Sequence, residues 1–195
     1  MLAVLVSSLT VHEAAHAWAA DQLGDPTARR LGRLTLNPIA HIDPIGTLLF
    51  PILAATTGLP LIGWAKPVPV DMRNLAAPRR DFAIVAAAGP ASNLAMAVAG
   101  AALVALFDTG GALRPVVALL LAFVSLNVLL ALFNMLPVPP LDGGNVLIGL
   151  LPEPAARVVE RLRPYGILVL YGLMLSGLLW TLVGPLHDLL LGWLL

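Results

Sequence analysis

No cysteine occurs in these 195 residues. Disulfides and thiolate chemistry are excluded, and the redox compartment is left undetermined. Charge is scarce too. Lys, Arg, Asp and Glu together make up 11% of the chain, against about 25% in soluble domains. Eleven basic and eleven acidic residues balance to a net charge of zero, which offers nucleic acid no attracting field. Aromatic residues are only 6%. Aliphatic side chains fill the remainder: 59% of residues are hydrophobic and the mean hydropathy is +0.91. This is the composition of an all-α, multi-pass membrane protein whose surroundings are the lipid bilayer. The first residues carry no basic stretch, so they do not read as a cleaved signal.

Along the chain, about four helices are expected to span the membrane: residues 1–20, 82–107, 115–136 and 165–183. Each is near or above the ~20 residues needed for a ~30 Å hydrocarbon core. Gly24 and Pro26 end the first. Residues 28–36 partly alternate polar and apolar, which predicts a short extended strand or hairpin. Residues 45–57 are apolar but too few to cross, and Pro44, Pro51 and Pro60 interrupt them. Arg29, Arg30 and Arg33 precede this segment, and Lys66, Arg73, Arg79 and Arg80 follow it. The positive-inside rule places both flanks in the cytoplasm, so 45–57 is expected to be a re-entrant or interfacial dip. Residues 63–71 are Pro-broken and extended, Asp108–Gly111 reads as a short outer turn, and 137–144 cannot be regular helix. Residues 153–163 are charged and cytoplasmic, and 185–195 form a short apolar tail. One domain, 1–195, is expected, with a core at about 1–150 and C-terminal helices at 151–195.

The chemistry sits in the first helix, in His12-Glu13-Ala14-Ala15-His16. Positions four apart share a helix face, so His12 and His16 can address one ion. Glu13 can reach water bound there, which is the arrangement of zinc hydrolases with Glu as general base. With four His and three Glu in the chain, a chance match is expected on the order of once in a thousand such sequences. The motif also closes an apolar run, where ionisable side chains are costly and mark function.

Zinc needs a third protein ligand beside its open position. If loops 21–42, 58–81 and 137–164 are cytoplasmic, helices 1–20 and 115–136 both end inside. Asp142 then arrives at the depth of His12 and His16. Its alternative is a helix N-cap before Asn145. On the residues alone, Glu153, Glu160, His41 and Asp43 remain rival ligands. Asn127 and Asn134, costly against lipid, face either a cavity or a neighbouring helix.

Three segments together carry a resemblance: His12–His16, Gly89-Pro90 opening a span, and Asn134-Met135-Leu136-Pro137-Val138-Pro139-Pro140-Leu141-Asp142-Gly143-Gly144. In order and spacing the chain resembles the site-2 protease family of intramembrane zinc metalloproteases, in its minimal form without PDZ-like or CBS-like domains. The resemblance implies one Zn2+ per chain held by His12, His16 and Asp142, with Glu13 as base. It also implies that Asn134 lies near the substrate and that Asn93 helps to line the site. The expected function is hydrolysis of a peptide bond within or near a transmembrane segment of a membrane-protein substrate. The expected place is the cell membrane, with the active site towards the cytoplasm. A helical substrate must first unwind, and could then pair with residues 28–36 or 63–71 by strand addition. Pro67 and Pro69 limit the second, so the first is preferred. Two other classes compete: a membrane zinc peptidase using Glu153 or Glu160, and a non-enzymatic metal-binding membrane protein. Glu13 argues against the latter, since a transport site needs no general base.

Overall fold

The computed structural model describes residues 1–58, 63–107 and 113–195, and every regular element among them is helical. Helix α1 spans Leu2–Gln22, rich in the Ala and Leu that favour helix. Gly24, at φ 104°, ends it. Asp25 then turns the chain by accepting from the Thr27 N–H and hydroxyl, which starts the single-turn α2, Thr27–Arg30. The strand expected at 28–36 is therefore absent. Asp25 and a left-handed Gly32 (φ 68°) are turn chemistry that imitates a strand's alternation. Asp25 also accepts from the Asp71 N–H and the Asn74 amide. Burial alone would raise its carboxyl, but these hydrogen bonds outweigh that and hold it below its ordinary range.

Asp43 caps the next element, accepting from the Ile45 and Gly46 N–H groups at 3.0 and 2.7 Å. A six-residue π-helix, Pro44–Leu49, runs into α3, Phe50–Thr57. Together they reach ~21 Å, short of the ~30 Å core. Residues 63–70 belong to no helix or sheet; the π-helix and the loops at Arg33 and His41 hold them instead. Trp64 N–H donates to the Gly46 carbonyl (3.1 Å), and Lys66 N–H donates to that of His41 (2.9 Å). The Thr47 hydroxyl donates to the Trp64 carbonyl. The buried Arg33 guanidinium donates to the carbonyls of Lys66 (2.6 Å) and Pro67 (3.2 Å).

Helices α4 (Pro78–Phe107) and α5 (Arg114–Asn134) are long and apolar enough to cross a membrane. Small residues let them close on each other. Ala97, Ala101, Val124 and Val128 form their shared core, and a Cβ on Gly100 would crowd Phe123 and Val124. The chain continues as α6 (Asp142–Leu150), α7 (Glu153–Leu162), α8 (Gly166–Leu175) and α9 (Leu178–Leu194).

Among the described residues, two helices are long and apolar enough to span, or three if the bent pair α7–α8 and α9 counts as one, where four were expected. Helix α1 forms at full length, but its polar residues leave it below the hydropathy of a clear span. The span expected at 165–183 breaks at Gly177, where φ is 75° and the axis turns by 76°. The supposed tail 185–195 belongs to α9, with Pro185 inside the helix. The outer turn expected at Asp108–Gly111 lies outside the described residues.

Candidate metal centre

His12 and His16 stand one turn apart on α1, and each ring is fixed through Nδ1. His16 Nδ1 is 2.7 Å from the Val85 carbonyl oxygen, which can only accept, so the ring nitrogen donates. His12 Nδ1 is 2.6 Å from Asn93 Oδ1. The Asn93 amide donates to Asn127 Oδ1 at 2.9 Å, and the Asn127 amide donates to Ser8 Oγ at 3.0 Å. This line assigns Asn93 Oδ1 as the acceptor from His12. In the neutral rings this leaves each Nε2 as a lone pair, the tautomer a metal needs.

Those lone pairs face each other at 3.0 Å. Asp142 Oδ2 lies 3.1 Å from His12 Nε2 and 3.4 Å from His16 Nε2. It is buried and has no hydrogen-bond donor. Three acceptors so close repel one another unless a cation stands among them. Ligand bonds of ~2.0–2.1 Å around a tetrahedral zinc put its ligand atoms ~3.3 Å apart, which matches this spacing. Among the described residues, these three make a group able to hold a metal ion.

Local sequence makes the approach possible. Asp142 does not cap α6: Leu141 occupies that position, and the Asp142 carboxylate makes no cap bond. It is turned to the imidazoles. Gly143 and Gly144 pack directly on the 135–139 backbone, where a Cβ would overlap the Met135 carbonyl and Pro139. Gly89 of α4 does the same for the ligands, since a Cβ there would overlap His16 Nε2 and His12 Cε1.

Glu13 is buried beside them, and its Oε2 accepts from the Val68 N–H at 3.1 Å. A cavity of about 570 Å³ joins Glu13, the three ligand residues, Trp64 and Asn134. Asn134 donates to the Leu130 carbonyl in its own helix. Asn93 and Asn127 are fully buried and stand behind His12, outside the cavity lining. The rival ligands lie elsewhere. Glu153 pairs with Arg79 at 2.5 Å, Glu160 is exposed, His41 Nε2 bonds the Thr35 carbonyl, and Asp43 caps its helix. Sequence reasoning missed the Val68 contact, the clearance at Gly89, and Asn145 and Arg163 in the cavity wall. Of these, only Gly89 left a signal, as the small residue before Pro90.

Residues 106–177 match the description Peptidase family M50. The chain is 38% identical to "Putative zinc metalloprotease YwhC" of Bacillus subtilis, over 98% of this chain and 89% of that one. It is 32% identical to "Putative zinc metalloprotease Rip2" of Mycolicibacterium smegmatis, over 90% of this chain and 66% of that one. The Mycobacterium tuberculosis H37Rv protein of that name is 34% identical, over 87% and 64%. The chain thus spans slightly under two thirds of the two mycobacterial relatives. No solved structure matches it.

Proposed function

Since this chain belongs to the M50 peptidase family of zinc metalloproteases, the site-2 protease family, we propose that it is an intramembrane zinc endopeptidase. It hydrolyses a peptide bond within or beside a transmembrane segment of a membrane-protein substrate. One observation supports this above the rest: three possible ligand atoms converge beside a buried carboxylate, in a cavity inside an apolar bundle. His12, His16 and Asp142 would hold one zinc ion per chain. Bound there, zinc supplies a Lewis acid for the substrate carbonyl and an acidified water. Glu13 accepts the proton of the attacking water and delivers it to the leaving amine. The Val68 N–H aims its carboxylate. Residues 1–195 act as one unit, with these groups in the core 1–150.

The unwound substrate needs hydrogen-bond partners. Residues 28–36 are turn and helix, so strand addition moves to 63–70. Trp64 directs its N–H and C=O groups to the π-helix, and Lys66 directs its own to His41 and Arg33. Ala65 lines the cavity, and its backbone groups have no partner among the described residues. Pro67 and Pro69 confine pairing to this end of the cavity that Asn134 also lines.

The test is release of fragments from membranes. Wild type and Glu160→Ala should yield the same cleaved fragments, and Asp142→Ala none. Identical fragments from all three would sink the protease reading. Orientation is tested separately, because a chain without cysteine accepts single-Cys reporters without background. Arg33 is buried, so Arg30 and Arg73, both exposed, are the positions to use. Both should label from the cytoplasmic side alone. Labelling from opposite faces would mean that 44–57 crosses and the proposed polarity is wrong.

A further inference from the structure

Among the side chains that line the cavity of the candidate metal centre, one is a cation: Arg163. It opens the short 3-10 turn Arg163–Tyr165 between α7 and α8. Its Nη2 donates to Asn145 Oδ1 at 2.8 Å. Asn145 is buried on α6, three residues after Asp142, which is a rise of ~4.5 Å. Arg163 is thereby tied to α6 about one helical turn along the chain from the Asp142 position.

Arg29, Arg73, Arg79 and Arg157 each meet a carboxylate, whereas none lies within ion-pair range of Arg163 among the described residues. Asn145 uses one of five N–H donors set in a planar fork, the shape that grips a carboxylate at two points. The cavity's own carboxylates are committed elsewhere, Asp142 to the ligand group and Glu13 to the Val68 N–H. A divalent ion among the ligands would balance both, and the guanidinium would leave the cavity with net positive charge.

Resting on the protease reading above, we propose that Arg163 is a specificity-determining residue that receives an Asp or Glu side chain of the substrate. An extended strand advances ~3.3 Å per residue, so one turn from the ligand corresponds to about one to three residues from the scissile bond. The full chain, loaded with zinc in phosphatidylcholine vesicles, is offered transmembrane peptides in which one Glu is walked through a helix-destabilised half, with Gln at the same places as control. Products are mapped by mass spectrometry, and peptide affinity is measured in parallel on the Glu13→Gln protein.

Glu at one position within three residues of the cut should raise kcat/KM about tenfold over Gln, as a charge-assisted hydrogen bond would. Arg163→Gln should abolish that preference, and Arg163→Glu should transfer it to Lys at the same position. Zinc content should be unchanged in both variants. The Glu13→Gln protein should rank the peptides in the same order by affinity. Equal treatment of Glu and Gln, or a Glu preference that survives in Arg163→Glu, overturns the assignment. So does an Arg163 effect that arises only with anionic lipid, whatever the peptide, which would make the partner a headgroup phosphate. If no peptide is cut, the protease reading fails, and the affinity ranking still decides for or against Arg163.

Discussion

Replacing Glu13 by Gln should lower peptide cleavage by about 10²- to 10⁴-fold, the usual worth of a positioned acid–base group, while zinc stays at about one per chain. The exchange removes a basic carboxylate and keeps its shape. The ligand atoms are untouched, because His12 and His16 take their orientation from Asn93 and Val85 and not from Glu13. The Val68 N–H still finds an acceptor in the Gln side-chain oxygen, so residues 63–70 keep their place over the site. Intact substrate should therefore bind and become recoverable from membranes as a stalled complex. His12→Ala provides the contrast, losing metal and turnover together. Zinc and turnover must be measured on one preparation. A variant that keeps its zinc and still cuts at the wild-type rate would show that Glu13 is not the base.

Gly89→Ala, a single methyl group, should remove zinc. The added carbon would overlap His16 Nε2 and His12 Cε1, and neither ring can retreat while its Nδ1 bond holds. Zinc affinity should fall by at least the ~10- to 100-fold that follows loss of an outer partner of a metal ligand, with activity falling alongside. Unfolding is a poor explanation for such a loss. Gly89 lies inside the 30-residue helix α4, where Ala favours helix over Gly by about 1 kcal/mol. Metal analysis together with a thermal melt decides the point: zinc lost at unchanged or raised stability. Full zinc occupancy in this variant would show that the ligand atoms do not meet where the structure puts them.

The centre of the site was legible because its parts are local or typed. His12 and His16 follow from helical spacing, and the Pro/Gly run around Asp142 marks a backbone that must be covered by protein. The rest required tertiary information. Nothing in the order of residues says that Asp25 will gather Thr27, Asp71 and Asn74 around one carboxylate, so the alternation at 28–36 read as a strand. The apolar run 165–183 read as one span, yet Gly177 within it adopts a left-handed conformation and the axis bends there. Helix α1 formed where expected, but the polar side chains that make it useful also make it a weak span by hydropathy. Val68 and Arg163 were invisible for a different reason. A backbone N–H between two prolines and a charge at a helix end acquire meaning only from what folds against them.

The Ser8–Asn127–Asn93–His12 line carries a consequence for how the bundle comes together. In a bilayer, apolar side chains cannot tell a neighbouring helix from lipid, so packing alone specifies alignment poorly. Here each of α1, α4 and α5 contributes at least one polar group to a single buried chain of bonds. A one-turn slip of α5 would carry Asn127 ~5.4 Å away, severing both of its links to the other two helices. Asn93 would then be free to rotate its amide and present nitrogen to His12 where it now presents oxygen. The ring would flip its proton to Nε2, and a metal ligand would become a donor. Correct helix alignment and a metal-ready imidazole are thus a single event, so a misassembled bundle is also an inactive one.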